Sequence, residues 1–345
     1  MKVPVKRWAP ALAIAAVVIS AAYVATWWHN DGHMGAVSSS VAPVSVATRR
    51  PSLPKLDKSV STRPAKPLLW KIEGPGVETP SYLFGTIHLG KALVGDLHPA
   101  AEMAFRESAA VHTEIAMDEK WEDVKQLFTR DDGKTLEESI GADLTRRLAA
   151  ALTLVDCPAK VEALSHKKTW YAAYVVGSFR SRQADAGTAL DMRLWDRAVK
   201  EGKRTAGMQT QEAQLLGFLE LTEEEQIAFL SETIRYFIEE DEDFDESLKE
   251  SIDAYLSGEP ERLVALIESE ERTTLGGRHG ELGKRIMKRI LDDRNVIMAD
   301  YIDRVLKEDG REVNFFAAGA AHFVFDNGVR SYLEKKGYKV TRISE

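Results

Sequence analysis

The sequence predicts an α/β fold: a single domain with a central sheet completed by strands from both ends of the body, and a large helical insertion between them. Three observations carry this. Runs rich in β-branched and aromatic residues cluster at 68–115 and return at 312–343. Across 119–306 apolar residues recur mostly at three- and four-residue spacing, the period of a helix face. The third observation is a charge boundary. Residues 1–66 carry nine basic side chains and two acidic ones, a net of +7, so the overall −8 leaves −15 for residues 67–345. Length alone, at roughly 150 residues per domain, suggests two domains. The charge boundary instead divides the chain into a basic lead and one acidic body.

Taken in order, Leu68-Leu-Trp-Lys-Ile-Glu-Gly74 alternates weakly and ends in the turn signal Gly74-Pro-Gly76. Residues 81–88 follow as its partner, so the body opens with a strand pair. A helix over about 98–108 leads to a third strand at 109–115. Helical spacing then dominates, as at 162–179 and 227–238, and Thr222-Glu-Glu-Glu225 has the form of a capping box. Residues 204–209 read as a lone strand inside this helical region. A strand at 312–318, a helix over about 327–336 and a last strand at 338–343 close the chain.

The lead reads as an export signal and then a tether. Lys2, Lys6 and Arg7 precede an uncharged run at 8–28. Basic residues before an apolar segment hold its start in the cytoplasm, so the chain beyond that segment is exported. The 21 residues of the run match the ~20 that span a bilayer as a helix, and Trp27 and Trp28 fall where indole rings favour the headgroups. Residues 1–28 are therefore expected to anchor the chain in inner-membrane lipid with the body in the periplasm. Cleavage after Ala22, in the small-residue stretch Ser20-Ala21-Ala22, is the alternative and would leave the body secreted. Residues 29–66, with Ser38-Ser-Ser40, Pro43, Pro51, Pro54 and Pro64, read as a flexible basic linker, and His29 and His33 within it are not expected to be ligands. The acidic body argues against nucleic acid as the partner. A single cysteine, Cys157, excludes an intramolecular disulfide framework and a zinc ribbon.

Chemistry concentrates at the strand ends. Gly85-Thr-Ile-His88 and Gly319-Ala-Ala-His322 repeat one pattern, a strand running into a glycine and then a histidine. Ligands of open α/β sheets bind outside the carboxyl ends of strands, which places both histidines at one edge although 234 residues separate them. Glu114 ends the third strand at the same edge. Two imidazoles and a carboxylate suit a divalent transition metal with an open position for water. The same three groups also suit acid–base catalysis without metal. His112 points to the same strand face as Glu114 and is expected to be a core histidine. His98, His166 and His279 read as surface residues, and Cys157 as structural. The acidic stretch at 239–246 lacks the ligand spacing of a calcium loop. No Gly-rich phosphate loop, G-x-S-x-G elbow or H-E-x-x-H helix is present.

Leu83-Phe-Gly-Thr-Ile-His-Leu89, the glutamate of Val111-His-Thr-Glu-Ile115, and Gly319-Ala-Ala-His322 with Asp326-Asn-Gly328 behind it form an ordered set. Leu190-Asp-Met192, Gly207-Met-Gln-Thr-Gln-Glu212, Gln214 and Arg294-Asn295 fall between them. On these motifs nearly all of 67–345 resembles the TraB/GumN family, which also contains the Tiki proteins. The resemblance implies a fold similar to the erythromycin esterase and ChaN-like group, with His88, Glu114 and His322 as the site. It also implies a metal-dependent hydrolase, a peptidase acting on peptides or protein termini, since Tiki proteins are membrane-tethered, metal-dependent proteases. On that reading His88, Glu114 and His322 hold the divalent metal, Mn or Co before Zn. Arg294 orients a carboxylate or stabilises developing negative charge. Asn295 and Asp191 support the site from behind. The alternative is a non-catalytic protein that sequesters a peptide, glycan or haem-like ligand at the same edge. One departure stands out: Gln209 occupies a position where relatives often carry glutamate, which removes a charge there.

Overall fold

The computed structural model describes residues 61–184, 187–239, 241–275 and 280–345. The run read as an export segment, nearly all of the stretch read as a linker, His29, His33, His279 and Glu240 of the acidic stretch lie outside these residues.

One sheet contains β1 (Leu69–Glu73), β2 (Ser81–Thr86), β3 (Ala110–Ile115), β4 (Arg204–Gln209), β5 (Asn314–Gly319) and β6 (Lys339–Ile343). The spatial order is β4-β3-β5-β2-β1-β6. β1 pairs antiparallel with β2 on one side and with β6 on the other, while β2, β5, β3 and β4 run parallel. The late strand β5 is thus inserted between β2 and β3, and both ends of the body do complete one sheet. Every β5 residue is buried, as a parallel strand covered on both faces requires. The strand read at 81–88 ends at Thr86, so His88 lies just outside the ladder. The strand expected to stand alone is not alone: β4 pairs with β3 along its length. Backbone groups inside a domain need partners. Gly207 allows the approach, because a Cβ there would run into the backbone at Ile115 and Ala116.

The helices are α1 (Pro99–Glu107), α2 (Leu136–Leu154), α3 (Thr169–Ala184), α4 (Leu190–Lys200), α5 (Gln211–Leu219), α6 (Glu223–Ile234), α7 (Asp241–Ser257), α8 (Pro260–Leu275), α9 (Gly280–Met287), α10 (Asp293–Glu308) and α11 (Val329–Lys335). Single helical turns are not numbered. The capping box read at Thr222 and Glu225 is formed, and Thr135 with Glu138 makes a second. The apolar run at 162–179 is not one helix. A 3-10 turn at Val161–Leu164 precedes α3, and the chain between them bridges back, with Lys168 N donating to Phe128 O at 2.9 Å. A π-helical turn, Lys288–Asp292, runs directly into α10.

Two apolar clusters result. One surrounds the sheet with Trp70, Phe84, Phe315 and Phe316, and the other fills the helical insertion with Phe128, Trp170, Phe218 and Phe229. No helix among the described residues is long and apolar enough to cross a membrane. Residues 62–66, on the linker side of the boundary expected after 66, are docked on the domain: Gly95 N donates to Thr62 O and Ala65 N to Leu256 O, both at 2.7 Å.

Candidate active site

The four parallel strands deliver their ends to one edge of the sheet. Thr86 is in register with Gly319, and Ile115 with Gln209. His88 comes just after β2, Glu114 is the penultimate residue of β3, and His322 sits in the helical turn Ala321–Val324 beyond β5. Arg294 and Asn295 lie in the first turn of α10, and Asp191 in the first turn of α4. Glu114, Asp191, Arg294, Asn295 and His322 are all buried.

Glu114 is the hub. Its Oε1 accepts from Gly319 N at 2.7 Å and its Oε2 from Arg294. His88 Nε2 lies 3.7 Å and His322 Nε2 4.0 Å from the same Oε1. Among the described residues neither Nε2 has a hydrogen-bond partner, although both atoms are buried. Each ring is held by its other nitrogen. His88 Nδ1 bonds Asp191 Oδ2 at 2.7 Å, and Asp191 Oδ1 in turn accepts from Thr86 Oγ1 at 2.5 Å. His322 Nδ1 donates to Asn295 Oδ1 at 2.8 Å; Asn295 Nδ2 is assigned to the opposite side, toward Asn327 O at 3.5 Å. The glycine of the second motif makes room for this. A Cβ on Gly319 would lie 3.2 Å from Glu114 Oε1, 3.6 Å from His88 Nε2 and 3.9 Å from His322 Cδ2.

The two histidines share a motif and not an electrostatic environment. Burial disfavours the charged form of His88, but the Asp191 carboxylate and its hydrogen bond outweigh this and raise the pKa to about 9. Burial pushes His322 down to about 3, and the Arg294 charge adds to the effect. Burial also opposes the charge on Glu114, yet Arg294, His322, His88 and the Gly319 amide together lower it to about 2.

Sequence reasoning placed His88, Glu114, His322, Arg294, Asp191 and Asn295 at the site, and the structure brings all six together. The expected metal set is not closed. Among the described residues no group of three or more His, Cys, Asp and Glu side chains could hold an ion as they stand. Glu114 is already bonded at both oxygens. The donor chemistry nevertheless fits. Neutral His322 presents an Nε2 lone pair, and His88 would present one once an ion displaced its Nε2 proton; each ring is oriented through Nδ1 as metal-binding histidines usually are. Glu114 Oε1 keeps a second lone pair, 3.7 Å and 4.0 Å from the two nitrogens, so the three groups would have to draw closer to share an ion.

Other expectations divide. His112 is a core histidine, bonded to Tyr301 Oη and Asn314 Oδ1 at 2.9 Å each and stacked on Phe316. His166 is exposed, as expected. His98 is not simply a surface residue: half-buried, it caps α1, accepting from Ala100 N at 3.3 Å. Gln209 Oε1 accepts from Arg294 Nε at 3.2 Å, so the missing charge leaves Arg294 balanced by Glu114. Thr86 escaped notice in the sequence, although a hydroxyl as the last inward residue of a strand feeding a histidine was a usable signal.

This chain belongs to the TraB/PrgY/gumN family, whose model matches residues 68–342. It is similar to the metalloprotease TIKI2 of Danio rerio, 27% identical over 331 aligned residues that cover 82% of this chain and 62% of the relative. The metalloprotease TIKI1 of Danio rerio is 24% identical over 312 residues, 79% of this chain and 62% of the relative. TIKI2 of Xenopus tropicalis is 24% identical over 343 residues, 86% of this chain and again 62% of the relative. The chain thus spans 62% of the length of each of these proteins. No solved structure matches it.

Proposed function

We propose that this protein is a metal-dependent hydrolase, a peptidase acting on peptides or protein termini outside the cytoplasm. The carrying observation is the pair of buried Nε2 atoms of His88 and His322, without hydrogen-bond partners among the described residues and facing one carboxylate oxygen across the gap left by Gly319. The relatives' names, metalloproteases, support the same chemistry at the level of class. His88, His322 and Glu114 would hold the ion, Mn or Co before Zn. Such an ion, when bound, supplies Lewis acidity and a water of lowered pKa. The chain's own residues do the rest. Asp191 and Asn295 aim the imidazoles inward. Arg294 keeps Glu114 ionised in a buried place and adds positive charge where a scissile carbonyl would develop negative charge. The location rests on the basic residues ahead of the apolar run at 8–28, which also support anchoring in inner-membrane lipid.

A second reading has its own observation: Glu114 is already committed to Arg294 and Gly319. On that reading His88, backed by Asp191, acts as an acid and neutral His322 as a base, without metal. One experiment separates the readings. The full chain, with His88→Ala and His322→Ala, is purified, assayed for bound metal and incubated with a peptide library with and without Mn or Co. Metal lost in both variants together with metal-dependent cleavage supports the proposal. Cleavage untouched by chelator selects the metal-free reading. Neither metal nor cleavage sinks both, and a ligand that raises the Tm without product then points to sequestration.

A further inference from the structure

The loop after His88 is held from two directions. From α4, Arg193 donates to Val94 O at 2.7 Å and to Gly95 O at 3.0 Å, one side chain engaging two successive carbonyls. Asp191, two residues earlier on the same first turn, holds the His88 ring itself. From the opposite side, residues 62–66 lie across the loop and the end of α7. Thr62 O accepts from Gly95 N and Ala65 N donates to Leu256 O, and Lys66 Nζ reaches Glu259 at 2.6 Å. Two glycines are shaped to this segment. A Cβ on Gly95 would run into the Thr62 side chain, and one on Gly258 into the Lys66 carbonyl. α7 is in turn tied to the strand that carries His88, since Tyr255 Oη donates to Gly85 O at 2.9 Å.

The geometry points to a positioning clamp: residues 62–66 and Arg193 together fix the 89–97 loop and through it the placement of His88, so the end of the N-terminal lead is a working part of the site. The physical reason is entropic. Leu89, Leu93 and Val94 anchor the loop's side chains in the apolar cluster around the sheet, but a backbone with glycines at 90 and 95 still samples many conformations, and a histidine at its root moves with it unless both faces of the loop are bonded. The clamp rests on His88 being a site residue, as proposed above, but its test uses neither metal nor substrate. Failure of the clamp is therefore distinguishable from failure of the hydrolase reading.

The full chain is compared with Gly258→Ala, Arg193→Ala, Arg193→Lys and Gly202→Ala. Gly258 and Gly202 both have left-handed backbones, with φ of +67° and +72°, but a Cβ on Gly202 meets nothing within 4 Å. Gly202→Ala therefore carries the same backbone strain without touching the segment. Amide exchange is monitored at 89–97, and carbethoxylation of His88 is measured against exposed His166 in the same sample. Gly258→Ala is expected to speed loop exchange about tenfold, the ratio of one lost hydrogen bond, and Arg193→Ala, which removes two, by more; both should raise His88 reactivity. Gly202→Ala lowers the Tm and changes neither; Arg193→Lys, keeping one donor, falls between. Loop exchange and His88 reactivity in Gly258→Ala no greater than in Gly202→Ala would overturn the clamp, as would a response confined to one of the two partners.

Discussion

Glu114 and Arg294 face each other with only 7% and 1% of their side chains exposed, and removing one charge strands the other. Glu114→Gln is therefore expected to cost about 3–5 kcal/mol in urea denaturation, with the double variant Glu114→Gln, Arg294→Met recovering part of it. A cost below about 1 kcal/mol would mean that water reaches the pair. His112 makes a pH prediction of its own. Its burial, reinforced by the Arg204 charge, lowers its pKa to about 4. The unfolded chain takes up that proton near pH 6.5 and the folded chain only near pH 4, so this stability is complete above pH 6.5 and drains away as pH falls toward 4. Between pH 7 and 4.5 the wild type should lose on the order of 2 kcal/mol more than His112→Gln. Equal losses would show that the imidazole is wet. At this scale the sequence was informative for residue type and silent on partners. The G-x-x-H histidines and Glu114 were legible because each lies at a strand end, whereas the opposite pKa shifts of the two matching motifs come from burial and the Arg294 charge at His322 and from the Asp191 carboxylate behind His88.

Strand β5 positions more of the site than any other element. It is flanked by β2 and β3, donates Gly319 N to Glu114, and launches the turn that carries His322. Gly319→Ala tests this role. Its φ is not in the left-handed region, so the fold should tolerate the methyl at a cost of about 1 kcal/mol or less. The added carbon would nevertheless occupy the gap between Glu114, His88 and His322. Mn uptake by the purified chain should then fall about 10–100-fold, the scale seen when the groups that orient metal ligands are disturbed, with the Tm nearly unchanged. A large drop in Tm with uptake retained would mean the gap is structural. β4 marks the limit of reading elements singly. Its residues look like an isolated strand because the partner that satisfies its backbone, β3, lies some ninety residues earlier in the chain.

At the scale of the molecule, the described residues form two apolar centres, one about the sheet and one inside the insertion, and Ile238 packs against both. Trp170 stacks on Phe218 with ring centres 5.5 Å apart and contacts Phe128, deep in the second centre. Trp170→Ala is expected to cost about 3–5 kcal/mol and to accelerate amide exchange in α3 and α6 before β1 and β2. Simultaneous loss of protection throughout would make the two centres one cooperative unit. By itself the sequence determined the division into a basic lead and an acidic body, the class of fold, and the strand-end residues that meet. Those come from local quantities: charge, hydrophobic period, and glycine where a strand stops. Only the tertiary structure decided that β5 enters the middle of the sheet, that Glu114 is shared between Arg294 and the gap, and that residues 62–66 fold back over the loop behind His88. Each of these depends on contacts between segments far apart in the chain, whose energies exist only once the chain has closed upon itself.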